Sequence, residues 1–247
     1  MRGGIVALLF VTACVGDAVV VTDSGSPIIE AGPAIKVSVV RNPAEADHPA
    51  MGSRVTVEGL VVTNTKTVGN SKLFFAQDPS LQSWAGIVIF TGPNTPSVAP
   101  GAVVRATGTY TAYKGLEEID VSTTGTYTQT GTAPVPAPID VAIADINGTA
   151  GRALELQSML VRVKDVTATA ATAPPPSVEF PVTNTASPGP SLQVSSFYAN
   201  DVGPSPFPAT QGQMFLSITG NEVMSAAGAS TPIGKLAPGR ASDLVPK

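Results

Sequence analysis

SRVTVEGLVVT, residues 53–63, alternates apolar and polar side chains and carries Gly59 near its middle. Alternation with a period of two marks a strand with one buried face. A mid-strand glycine is where such a strand bends or bulges. A long bent first strand suits a small barrel, and the chain after it continues in the same style. KLFFAQ (72–77) follows the turn Gly69-Asn70 and reads as a second strand. AGIVIF (85–90) is a third, closed off by Thr91-Gly92-Pro93-Asn94. AVVRATGTYTAY (102–113), with Gly108 near its middle, is a fourth. LEEIDVS (116–122), reached through the turn Lys114-Gly115, is a fifth.

A proline-rich joint, APVPAP (133–138), separates these strands from a second set. LELQSMLVRVKDVTATA (154–170) holds a long alternating strand with Leu160, Arg162, Lys164 and Asp165 in its register. SVEFPV (177–182) and LQVSS (192–196) read as short strands. QMFLSITGNEVM (213–224) is a fourth, again with a central glycine, Gly220, and a short fifth strand ends near Leu236. Both sets run in one order: a long strand, two short strands, a strand with a central glycine, and a closing strand. The expectation is therefore all-β, with two tandem five-stranded OB-like Greek-key barrels over residues 35–132 and 133–247. An immunoglobulin-type sandwich is the competing architecture.

Composition agrees with short strands joined by turns. The 247 residues are 43% hydrophobic and 13% charged, with 24 glycines and 23 prolines. The charged share is about half the usual one. The net charge of −4 disfavours proteins that track phosphate through a basic face. The first barrel balances seven basic against seven acidic residues, so nucleic acid is a possible but disfavoured partner. With one cysteine, Cys14, and one histidine, His48, neither an internal disulfide nor a thiolate or multi-histidine metal site can form. No metal or cofactor is expected.

Certain segments resemble a known family. VTVEGLVV (55–62), LFFAQDP (73–79), AGIVIF (85–90) and PGAVVRATGTY (100–110) resemble the OB-fold modules beside bacterial extracellular endonuclease/exonuclease/phosphatase-type nucleases. In the second set, MLVRVKDV (159–166) and FLSITG (215–220) resemble the repeat that follows in those proteins. LAPGRASDL (236–244) resembles its closing L-x-P-R-x-x-x-D signature, with Gly239 inserted before Arg240. The resemblance spans roughly residues 36–247 and implies an architecture rather than an active site. The catalytic domain that such modules precede is expected to be absent, the chain ending at Lys247. OB barrels commonly bind oligonucleotides or oligosaccharides on the face of strands two and three.

The amino terminus supplies an address. Arg2 precedes an apolar run, Gly4 to Ala13, too short to span a bilayer and suited to the h-region of a secretory signal. It ends in Val11-Thr12-Ala13-Cys14, which resembles a bacterial lipobox. That resemblance implies cleavage before Cys14 and lipidation of its thiol. Residues 1–13 then form the signal peptide and residues 14–34 a lipid-anchored tether. Val15 after the cysteine leans towards the outer membrane.

Candidate ligand contacts in the first barrel are Phe74, Gln77, Trp84, Tyr110 and Tyr113, with Phe75 and Asp78 beside them; aromatic rings on such a face can stack bases or sugars. Strict alternation places either Phe74 or Phe75 in the core, and Tyr110 suits packing at the barrel end. Trp84, in the loop SLQSWAG, suits ligand contact and capping of the barrel mouth equally. Glu118 and Asp120 share one strand face and Glu117 takes the other, a pattern for chelation or for a solvated edge. His48 has no evident nucleophile partner, and no catalytic set is expected. These readings predict a lipid-anchored, non-enzymatic binding module of the cell envelope, partnered by an envelope protein or polymer. The alternative is an accessory that captures nucleic acid or glycan for a separate hydrolase.

Overall fold

Strand β3, Arg54–Lys66, buries Val55 and Val57 on one side of Gly59 and Leu60 and Val62 on the other. The buried parity changes from odd to even at Gly59. There the backbone takes φ +73° and the pairing shifts register between Glu58 and Leu60. The bulge lets both halves of a long strand feed one core. The second long strand, β10 (Leu160–Ala168), repeats the device: Val161 and Val163 precede Asp165, at φ +52°, and Val166 and Ala168 follow it into a core. VTVEGLVV and VRVKDVTA are thus structural equivalents, with aspartate, a residue that tolerates the left-handed region, in the glycine's place.

In the computed structural model, residues 32–148, 152–175, 178–200, 207–225 and 233–247 are described, with the backbones of β1 (Val19–Val21) and β2 (Pro27–Ile29). The chain divides into two units, residues 1–33 and 34–247. In the first, β1 and β2 pair antiparallel, so the segment expected to be a plain tether contains a short hairpin. The expected signal peptide and Cys14 lie outside the described residues.

The second unit is nearly all β and holds two sheets. In the first, β3 pairs with β4 (Lys72–Gln77), β4 with β5 (Gly86–Gly92), β5 with β7 (Leu116–Asp120), β7 with β6 (Ala102–Tyr113), and β6 returns to β3. Only β5–β7 is parallel. This circuit is a closed five-strand Greek-key barrel of the expected order, and no open two-sheet sandwich forms. β8 (Thr126–Thr132) adds to the free part of β6 outside the circuit.

The second sheet follows the same path. β10 pairs with β11 (Glu179–Asn184), then β12 (Leu192–Ser195), β14 (Ile233–Ala237), β13 (Met214–Ser225) and back to β10. Here too only the third and closing strands, β12 and β14, are parallel, through Gln193↔Lys235 and Val194↔Leu236. β9 (Ile139–Asp140) flanks β10 and β15 (Leu244–Pro246) flanks β13. Gly108 of β6 and Gly220 of β13 play one role: a Cβ at either would collide with the closing strand's exit, at Asp120 and at Ala237–Pro238.

One short-range expectation needs correction, and two short helices went unread. Residues 154–156 belong to a helix, α3 (Arg152–Leu156), rather than to the start of β10. Helices α1 (Val37–Arg41) and α2 (Ile143–Ile146) had no signal, because four or five residues cannot show a 3.6-residue period.

Each barrel has its own core. Val57, Leu60, Phe74, Ile87, Ile89, Val104 and Tyr110 fill the first; Val161, Val163, Phe180, Val194, Phe215 and Leu236 fill the second. A third apolar cluster joins them. Leu73, Phe75, Val88 and Leu116 on the outside of the first barrel pack against Val223 and Ala237 of the second, with Phe90 and Tyr198 alongside.

Candidate functional site

The outer face of β4, β5 and β7 corresponds to the surface on which OB barrels hold ligands. Here the second barrel covers it. Phe75 and Val88 are fully buried, and the Phe75 ring meets Tyr198 edge-on at 5.4 Å between centroids. Gly86 makes the closest backbone approach: a Cβ there would lie 2.5 Å from Met159 N and from Ser158 C.

Polar bonds cross the same seam. The amides of Thr67, Trp84, Glu117 and Leu160 donate to Asn200 Oδ1, Glu155 O, Gln157 Oε1 and Gln77 Oε1, at 2.6–3.1 Å. Asn200 also donates from Nδ2 to the Thr65 carbonyl. Arg41, at the end of α1 and 1% exposed, is the densest tie. Its Nε donates to Gly86 O and its Nη2 to Leu154 O, both at 3.0 Å, and its Nη1 forms an ion pair with Glu117. Glu117 in turn accepts from the Tyr110 hydroxyl. One guanidinium thus fastens α1, the first barrel and α3 together.

These contacts place each sequence-predicted site residue. Phe74 and Tyr110 lie inside the first barrel with no exposed surface, Phe74 against Tyr127 and Tyr110 against His48. A ligand on the barrel's exterior cannot reach either, so both leave the ligand-contact set. Gln77 is buried in the seam, where it accepts from Leu160. Trp84, at φ +54°, is partly buried with its ring 5.9 Å from the Arg41 guanidinium. Tyr113 is 63% exposed at the β6–β7 turn, with Lys114 Nζ 5.2 Å from its ring. The five do not share one open face. Alternation could choose only one of Phe74 and Phe75 for a core. Both are buried, one in the barrel and the other in the seam. Asp78 caps its own turn by accepting from Ser80. Among the described residues, no three acidic, histidine or cysteine side chains gather to hold a metal.

The equivalent face of the second barrel differs. By strand position, Glu118 matches Lys235, Val88 matches Gln193, and Phe75 matches Pro181. Lys235 Nζ pairs with Glu179 at 2.8 Å, and Gln193 and Pro181 are partly exposed. In the loop after β12, Phe197 is 50% exposed, edge-on to Tyr198 and with Lys66 Nζ of the first barrel 3.5 Å from its ring centroid. Burial lowers the Lys66 ammonium to about 8.

Burial has the opposite effect on two acids. Glu118, 8% exposed, is pushed up to about 7 by desolvation and by Asp120. Glu222, 0% exposed and with neither carboxyl oxygen hydrogen-bonded, is raised well above the usual range by desolvation, against the pull of Arg41. Sequence reading missed Arg41, Gln157, Asn200 and Glu222, which lie outside any recognisable motif. No family model matches the chain, and no curated protein matches it significantly.

Proposed function

We propose that the protein is a lipid-anchored, non-enzymatic binding module of the bacterial cell envelope, and that its ligand is a neutral polar polymer, a glycan, held on the second barrel. The observation that carries this reading is the asymmetry of the two equivalent faces. The first is apolar and covered by its neighbour. The second has the partly exposed Gln193 and a largely buried Glu179–Lys235 pair that leaves no net charge, and the loop that follows β12 carries a half-exposed aromatic ring, Phe197. A sugar polymer supplies hydroxyls for the amide and an apolar ring face for stacking. A polyphosphate backbone needs cations that are free of carboxylates, and Lys235 is not. Residues 34–247, a compact unit, titrated with a glycan array and with single-stranded DNA at low salt, should retain glycans selectively. Gln193→Ala or Phe197→Ala should weaken that binding about tenfold, a loss of about 1.4 kcal/mol. DNA binding that both variants leave intact, or turnover of either polymer, would overturn the reading.

The anchor rests on Val11-Thr12-Ala13-Cys14. Two acyl signals hold a protein stably to a membrane, whereas losing the acceptor thiol removes them. Cys14→Ser should therefore move the protein from the membrane pellet to the soluble fraction. Membrane-extracted protein with an intact Met1 and an unmodified Cys14 by mass spectrometry would refute the anchor.

A further inference from the structure

The half-exposed Phe197 ring is held from the first barrel, by residues that the binding face itself does not contain. The ends of its loop are fastened within the second barrel. Ser196 donates from its amide and its hydroxyl to Val178 O at 3.2 and 2.9 Å, and the Asn200 amide donates to Gly239 O at 3.3 Å. The rest is fixed across the seam. The Asn200 side chain bridges Thr65 and Thr67 at the end of β3. Its Nδ2 donates to the Thr65 carbonyl and hydroxyl, and its Oδ1 accepts from the Thr67 amide at 2.8 Å and hydroxyl at 3.0 Å. Tyr198 packs edge-on against both Phe75 and Phe197. Lys66, between the two threonines, lays its ammonium 3.5 Å from the Phe197 centroid, over the ring face. Lys66 is only 5% exposed, and among the described residues it forms no ion pair. A lysine so buried is ordinarily paired with an anion; here an aromatic face stands in that place. Burial lowers its ammonium only to about 8, so at pH 7 most molecules keep the charge. A cation over a ring is worth most when desolvated in this way.

We propose that Lys66 and Asn200 are positioning residues for the ligand site: from either side of the seam they hold the Phe197 ring in place for a sugar, so that glycan binding on the second barrel needs both barrels. The inference rests on the glycan reading of that face. Neither residue has to touch the ligand. A ring on a loop must be ordered before a sugar can stack on it, and ordering it in advance removes that cost from binding. The ammonium occupies one face of the ring, which leaves the other for the sugar. The first barrel, whose own ligand face is covered, thus contributes to binding through its neighbour.

The test uses the full chain at pH 7 and a neutral oligosaccharide from the glycan array. Without sugar, the ring current of Phe197 should shift the Lys66 ε-methylene protons upfield of those of the other lysines. Phe197→Ala or Asn200→Ala should return them to the ordinary position. Lys66→Met and Asn200→Ala should each weaken oligosaccharide binding about three- to tenfold. Lys66→Arg should restore most of the loss, since a guanidinium also stacks on rings. In the Phe197→Ala background, Lys66→Met should cost less than about twofold more, because it acts through the ring. Protection of the β3–β6 ladder amides should hold in every variant. Three outcomes would overturn the positioning alone: no upfield shift in the parent, parent-like affinity in Lys66→Met and Asn200→Ala, or an equal loss from Lys66→Met with and without Phe197. A parent that retains no oligosaccharide overturns the glycan reading, and this one with it.

Discussion

Arg41→Met is expected to destabilise the protein by about 3–5 kcal/mol, the usual cost of removing one member of a buried ion pair. Methionine keeps much of the apolar stem but supplies no donor. Glu117 would lose its cation, the carbonyls of Gly86 and Leu154 would each lose a donor at 3.0 Å, and Glu222 would lose the positive charge that opposes its desolvation. Urea unfolding followed by circular dichroism measures the loss. Arg41→Lys should recover part of it, since an ammonium restores charge but not the three-way fork. A midpoint unchanged in Arg41→Met would mean that the guanidinium does not fasten the barrels.

Phe75→Ala and Phe74→Ala should each cost about 3–5 kcal/mol, as large-to-small changes at fully buried aromatic sites do, but should break different things. Phe74 packs inside the first barrel against Tyr127, so its loss should expose the β3–β6 ladder amides to exchange. Phe75 packs outward against Tyr198 and Val223, so its loss should free the seam amides first and leave the ladder protected. Site-resolved hydrogen exchange separates the two patterns. Identical patterns in the two variants would deny that the seam opens as a unit of its own.

The barrels were legible because their signals are local and repeated. The alternation around Gly59 and Asp165 carried the long strands, and the central glycines Gly108 and Gly220 marked the fourth ones. β8 was missed because TYTQTGT lies outside the closed circuit and shows no buried stripe. The docking of the barrels left a signal that went unused. LFFA and GIVIF are apolar without interruption, which a half-exposed strand has no reason to be; the matching strands of the second barrel, EFPV and LQVS, alternate. An unbroken apolar strand reports burial on both faces. The polar ties could not be read this way. Arg41 is paired with Gly86, Glu117 and Leu154 by tertiary folding alone, over separations of 45 and 113 residues for its two carbonyl bonds.

The seam joins unlike surfaces, the front of one barrel to the back of the next. Head-to-tail contacts of that kind, if each unit carried both surfaces, would propagate into an open filament. Neither unit does. At the second barrel's front stand Lys235 and Gln193 where the first has Glu118 and Val88. At the first barrel's back stand Thr111 and Asp120, counting from the paired glycines, where the second has Val223 and Ala237. Each barrel therefore carries only the one surface that it uses, and the chemistry of the seam is not repeated at either end of the pair.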